Sequence, residues 1–303
     1  MKRPSTIIAI FGPTGIGKTA VAIALAERLR AEGEDPAAIS ADALQLYEGL
    51  EILTGAPSPE ERSSLEHRLV GTLPLTATSS AGDFARRAHA EIDALLEQGR
   101  RPIVVGGTGL YLRAALAELD MRPPVDPALR ERRRAQLEAE GAPALHAELA
   151  ARAPATAAAI RPHDAQRVTR ALELLDAGHE PTPGTDASQL WTAALRRPTL
   201  LAGLTMQREQ LNARIEARVD AMIAAGAEAE VRAAAAAGAS KGARQALGFQ
   251  QLLDGDVAAM KAQTRRYAKR QMTWMRKLEG VRTIDVTRRT PEEVAEELLA
   301  ALA

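Results

Sequence analysis

The chain has 303 residues, of which 46% are hydrophobic but only 3% aromatic. That length suits one main domain with a smaller insert, its core built mostly from Leu, Ile, Val and Ala. Lys plus Arg and Asp plus Glu are 39 each, so contact with nucleic acid must come from a local basic patch; the lack of cysteine excludes disulfides, zinc-thiolate sites and thiol nucleophiles.

Residues 6–11 (TIIAIF) are an apolar, β-branched run between Pro4 and Gly12, which predicts a buried strand. The run is too short for a signal-peptide core or a membrane span, and no other apolar stretch approaches membrane length. A cytoplasmic protein is expected. A helix is predicted over 17–30, with Val21, Leu25 and Leu29 on one face, then a short strand at 36–40. Residues 54–75 read as loop with a short helix. The spacing of Phe84, Ala88, Ile92, Leu95 and Leu96 predicts a helix over 83–98, stopped by Gly99. Residues 102–105 (PIVV) are another buried strand, followed by Gly106-Gly107-Thr108 and a helix over 109–119. Strand–loop–helix units in series imply a parallel sheet with helices on its faces.

The texture changes at Met121. Arg122-Pro123-Pro124 resembles a hinge, 126–175 is helical and polar, and PTPG at 181–184 closes the stretch. A strand returns at 199–204, and from Gln207 onward the pattern is helical. The expected organisation is an α/β core of residues 1–120 and 198–303, interrupted by an all-helical insertion at 121–197.

Gly12-Pro13-Thr14-Gly15-Ile16-Gly17-Lys18-Thr19 matches G-x4-G-K-[ST] between a predicted strand and a predicted helix. The glycines let backbone N–H groups turn toward an anion, and the helix N-terminus adds positive partial charge. Lys18 offers a point charge to a phosphate, and Thr19 can ligate Mg²⁺. The bland alternative is a glycine loop with a surface lysine. This is the P-loop signature, so the core reads as P-loop NTPase-like. It specifies phosphate or diphosphate, not ATP in particular. ATP-hydrolysing members usually carry an Asp at the end of a neighbouring strand. The 102–105 strand ends in glycines instead, and the nearest acid after another strand is Asp42. That residue reads equally as a metal-holding or basic carboxylate and as a helix N-cap.

Residues 261–278 contain no acid but six basic residues between Arg265 and Lys277. On a helix, Arg266, Lys269, Arg270, Thr273, Arg276 and Lys277 share a face, a stripe suited to phosphate contacts. Tyr267 and Trp274 could stack on bases, although packing inward is the preferred reading. Beyond Arg130, residues 131–134 read as the exposed side of an insert helix. Gln166, Arg167 and Arg170 share a helix face and, on residues alone, are ordinary surface polar groups. Thr108 is either a cleft residue or a cap for the helix at Gly109.

Several segments taken in order carry a family resemblance. They are GPTGIGKT at 12–19, SADALQLY at 40–47, GLEILT at 49–54, HRLV at 67–70, GGTGLYL at 106–112, DAQRVTRALE at 164–173, RQALGF at 244–249 and TRRYAKRQMTWMR at 264–276. Together they resemble the tRNA dimethylallyltransferases, over nearly the whole chain. The resemblance implies that the P-loop, with Mg²⁺, holds the diphosphate of dimethylallyl diphosphate. Lys18, Thr108 and Asp42 would form the catalytic group, with Asp42 as the base for the exocyclic N6 of the adenosine beside the anticodon. It also implies tRNA contacts at Asp42, Ala43, Leu44, Gln45, Thr108, Arg130, Gln166, Arg167, Arg170, Arg244, Lys269, Arg270, Gln271, Thr273, Trp274 and Arg276. The helical insert would grip the anticodon stem-loop, and a monomer is expected. Departures are Ala43 where the family often has serine, Ala56 where it often has lysine, and Phe249 where tyrosine is common. The rival readings are an ATP-dependent nucleoside or nucleotide kinase and a non-catalytic RNA-binding P-loop protein.

Overall fold

The computed structural model describes residues 6–119, 125–181 and 194–302; the hinge-like residues 122–124 and most of the 181–184 turn lie outside them. The chain divides into two compact units, Met1–Glu118 with Thr192–Ala303, and Leu119–Trp191.

The larger unit is built on six parallel strands in the order β3-β2-β4-β1-β5-β6. They are β1 (Ile7–Phe11), β2 (Pro36–Ser40), β3 (His67–Arg68), β4 (Arg101–Gly106), β5 (Thr199–Thr205) and β6 (Arg282–Asp285). Every residue of β1 and β2 is buried, as an apolar strand in the middle of a two-faced parallel sheet must be. Ile8 and Ile10 join one core with Val21, Leu25 and Leu29 of α1 (Lys18–Ala31) and with Val294 and Leu298 of the C-terminal helix Pro291–Ala300. α4 (Ala81–Glu97) and α5 (Gly109–Leu116) pack together against β4. Short helix α2 (Glu51–Thr54) precedes the stretch 54–75, and α3 (Pro59–Ser64) is the short helix expected within it.

The edge strands β3 and β6 are not anticipated by the sequence pattern. β3 has only two residues, too few to show a period. β6 (RTID) buries Ile284 alone, so it carries no apolar run.

The smaller unit is helical: α6 (Pro127–Arg152), broken at Gly141 where φ is +79°, then α7 (Pro154–Ala158) and α8 (Ala165–Asp176). Leu145, Leu149, Val168 and Leu172 form its core. Arg133 is not an exposed residue of α6, contrary to the sequence reading. Its guanidinium is nearly enclosed and pairs with Glu148 and Asp176, and both of these also pair with Arg152. Four interlocked charges hide an ion-pair network in what reads locally as a basic surface run.

In the larger unit β5 leads into α9 (Arg208–Ala224) and α10 (Ala227–Ala236). α11 (Phe249–Leu253) and α12 (Val257–Met275) follow, and the C-terminal helix Pro291–Ala300 is α13. Among the described residues, no helix is long and apolar enough to cross a membrane.

Candidate active site

The phosphate loop runs from the end of β1 into α1. Gly15 and Gly17 have φ of +81° and +100°, which side chains with a Cβ rarely adopt. At Gly15 a Cβ would also press on Ile215 of α9, 3.2 Å away. The Lys18 ammonium donates to the carbonyls of Gly12 and Pro13, both at 3.0 Å. An ammonium has three N–H groups, so one remains for an anion. Burial, reinforced by the nearby Arg218 guanidinium, pulls the Lys18 pKa down to about 8, while the Asp42 carboxylate acts in the opposite direction.

β2 and β4 end in close contact. A Cβ on Gly106 would stand 2.6 Å from the Ala41 carbonyl oxygen, so only glycine permits the approach. This brings Asp42 beside the loop that follows β4. Asp42 caps no helix: residues 43–46 form a turn, and α2 begins only at Glu51. Its Oδ1 accepts from the Leu44 N–H at 3.0 Å, which fixes the half-buried carboxylate. The Asp42 charge opposes the downward shifts that burial imposes on Lys18 and Arg218, and adds to the upward shifts that burial imposes on Tyr111 and Tyr267.

Thr108 occupies the N-cap position of α5, but its side chain caps nothing. Its hydroxyl lies 2.9 Å from that of Tyr267 on α12. Tyr267 is therefore neither plain core nor a free stacking ring; it is a half-buried side chain whose polar end reaches the site. Burial raises its pKa, with the Asp42 charge adding to the shift.

The sequence pattern does not single out Arg214 and Arg218. They lie one turn apart on α9 and, with Gly15, Gly17 and Ala217, line a cavity of about 310 Å³ beside the phosphate loop. A Cβ on Gly17 would come within 3.2 Å of Arg214, and one on Gly55 within 1.7 Å of Arg218. The i, i+4 spacing is visible, but Glu216 and Asp220 interleave and give the helix the look of a solvated face.

On α12 and its C-cap, Arg266, Lys269, Arg270, Thr273, Arg276 and Lys277 are all exposed. The other two cations turn back to α9, Lys261 to Asp220 and Arg265 to Glu216. Among the described residues Arg266, Lys269, Arg270 and Arg276 form no ion pair, and Arg270 lies 5.5 Å over the Tyr267 ring. The opposite side of α12 reaches the sheet ends. Gln271 bonds the phosphate loop and the β4 loop, and Trp274 lies on Gly109, where a Cβ would fall 2.0 Å from the indole.

The remaining candidates are dispersed. Ala43 and Leu44 are half-buried in the turn after Asp42. The Gln45 amide is tied at both ends, accepting from Ser40 Oγ at 2.7 Å and donating to the Gly55 carbonyl at 3.1 Å. Arg244 donates to the Ala239 carbonyl and stacks on Phe249. In the smaller unit Arg130 and Arg170 both approach the buried Glu173, while Gln166 and Arg167 are exposed.

A phosphate loop leaving the central strand of an all-parallel sheet, at the carboxyl ends where open α/β folds bind ligands, defines a P-loop protein. Residues 45–278 match the family model "IPP transferase". The chain is 43% identical over 284 residues to a tRNA dimethylallyltransferase of Thermobifida fusca, covering 90% of this chain and 88% of that one. Its structure is similar to a solved tRNA isopentenylpyrophosphate transferase from Bacillus halodurans, with TM-score 0.69, 32% identity, and 99% and 96% of the two chains covered. It also resembles a solved eukaryotic dimethylallyltransferase acting on tRNA, with TM-score 0.76, 25% identity, and 94% and 75% covered. The chain belongs to the tRNA dimethylallyltransferase (IPP transferase) family.

Proposed function

We propose that this family member transfers the dimethylallyl group of dimethylallyl diphosphate to N6 of the adenosine 3′-adjacent to the anticodon of tRNA. The observation that carries this reading is the Asp42 carboxylate beside the phosphate loop, close enough for its charge to act on Lys18.

The exocyclic N6 is a poor nucleophile because its lone pair is delocalised into the ring. Asp42 accepts hydrogen bonds from the amino group of the extruded base. As N6 bonds to the allylic carbon, the C–O bond to diphosphate breaks and the N6 proton passes to Asp42. Charge then grows on the diphosphate oxygens, which face the loop amides, the free N–H of Lys18 and the guanidinium groups of Arg214 and Arg218. Preorganised donors of this kind contribute roughly 3 kcal/mol each. Thr108, held by Tyr267, lies at the base side of the cleft.

Among the described residues, no cluster of three acidic or histidine side chains could hold a metal alone. That donor set still fits Mg²⁺, which commonly binds through substrate phosphates and one or two protein oxygens. Thr19, at the start of α1, would supply the protein oxygen. Bound there, Mg²⁺ would neutralise charge on the leaving diphosphate.

The exposed stripe on α12 supplies phosphate contacts to the RNA. Arg130, Gln166, Arg167 and Arg170 give the helical unit a second set of polar contacts to the anticodon stem-loop. The test is to incubate the protein with Mg²⁺, dimethylallyl diphosphate and unmodified tRNA, then identify nucleosides by mass. Prenylated adenosine is expected. ATP-dependent phosphorylation with no prenyl product would establish the kinase instead, and RNA binding with no product would leave only an RNA-binding protein.

A further inference from the structure

We infer that Gln271 is a positioning residue for the phosphate loop rather than an RNA contact, so that α12 sets the diphosphate cradle from its inner side while its outer side meets RNA. Its Oε1 accepts from the Thr14 N–H at 2.9 Å, and its Nε2 donates to the Gly107 carbonyl at 2.8 Å. One partner is a donor and the other an acceptor, so the amide orientation is determined without ambiguity. The residue is 5% exposed, and both ends of the amide are committed inside the protein.

The surrounding backbone is cut to fit this side chain. A Cβ on Gly107 would lie 2.3 Å from Gln271 Nε2 and 3.0 Å from the Gly12 carbonyl. That same Gly12 carbonyl accepts from Lys18. Gln271 thus joins the two loops at the ends of β1 and β4, one carrying Lys18 and the other Thr108. It also takes up the Thr14 N–H, which fixes the loop backbone between Pro13 and Gly15. Four residues back, Tyr267 holds Thr108 from the same inward side. Arg270 and Thr273, which flank Gln271 on the helix, are exposed, so the inner and outer roles belong to different side chains.

The inference rests on the prenyl-transfer reading only for the identity of the anion. Gln271→Met keeps the length of the side chain and removes both bonds. Measured by calorimetry with Mg²⁺, inorganic pyrophosphate should bind about tenfold more weakly to the variant, as expected when positioning hydrogen bonds are removed. KM for dimethylallyl diphosphate should rise similarly, while tRNA affinity and its salt slope stay within about twofold of the parent protein. Weaker tRNA binding with unchanged pyrophosphate affinity would overturn the inference and restore Gln271 to the RNA interface. Equal losses toward both ligands, or no loss toward either, would overturn it as well. Should the variant not fold, amide exchange in the unmodified protein decides. A protected Thr14 N–H without any ligand supports the clamp, and free exchange there refutes it. If the unmodified protein makes no prenylated adenosine, the proposed function fails, while the pyrophosphate and exchange measurements still report on Gln271.

Discussion

The hydroxyls of Thr108 and Tyr267 lie 2.9 Å apart, joining the loop after β4 to a helix from the far end of the chain. Tyr267→Phe removes only the oxygen. One neutral hydrogen bond contributes about 1 kcal/mol, so turnover should fall roughly fivefold as Thr108 loses its restraint. Steady-state kinetics beside tRNA binding checks this; unchanged kcat would show that Thr108 needs no support.

Asp42→Asn preserves shape and can still accept from Leu44, but it cannot take a proton. tRNA affinity should stay close to that of the parent protein, while single-turnover prenylation drops by about 10²–10⁴. Turnover within tenfold of the parent protein would remove the base assignment.

Lys18 gives a pH signature. Its folded pKa of about 8 lies below the ordinary lysine value of 10.5. Between these values the unfolded chain binds more protons than the folded protein, so this residue makes stability rise with pH across that window. Below about 8 both states are protonated and the cost of burying the charge is constant. Diphosphate binding runs the other way because it needs the ammonium. Pyrophosphate affinity should weaken above pH 8, with a limiting slope of about tenfold per pH unit. Lys18→Met should bind weakly and lose that pH dependence, which calorimetry at pH 7 and pH 9 can test.

The exposed cations of α12 predict a salt-sensitive RNA complex. Changing Lys269 and Arg270 together to Gln should weaken tRNA binding. The slope of log K against log salt should also become shallower, by about 0.7 to 0.9 for each phosphate no longer neutralised. Filter binding across a salt series measures this. A slope equal to that of the parent protein would mean that the stripe does not touch phosphate.

Features written in neighbouring residues were legible in advance. The phosphate loop declares itself because glycines, Lys18 and Thr19 act within a single turn between a buried strand and a helix, and no distant partner is needed to recognise them. The basic stripe was legible for the same reason: helical spacing puts its members on one face, and no acid interleaves along the segment. Helices α1 and α4 followed from apolar spacing, and the interior strands from short uninterrupted apolar runs. The family-wide order of motifs added the substrate, which no single residue specifies.

Tertiary structure alone decided which side chains meet. Gln271 reaches Gly107 across 164 residues of sequence, and Tyr267 reaches Thr108 across 159. Nothing near Gly107 or Gly109 announces that Gln271 and Trp274 require their bare backbones. Arg214 and Arg218 have the pattern of a solvated helix face until packing turns them toward the phosphate loop, and Arg133 has that of an exposed residue until Glu148 and Asp176 enclose it. Local pattern reports what a segment can form by itself. Which segments close against one another depends on the burial of the whole core, and that is settled only when the sheet and α12 come together.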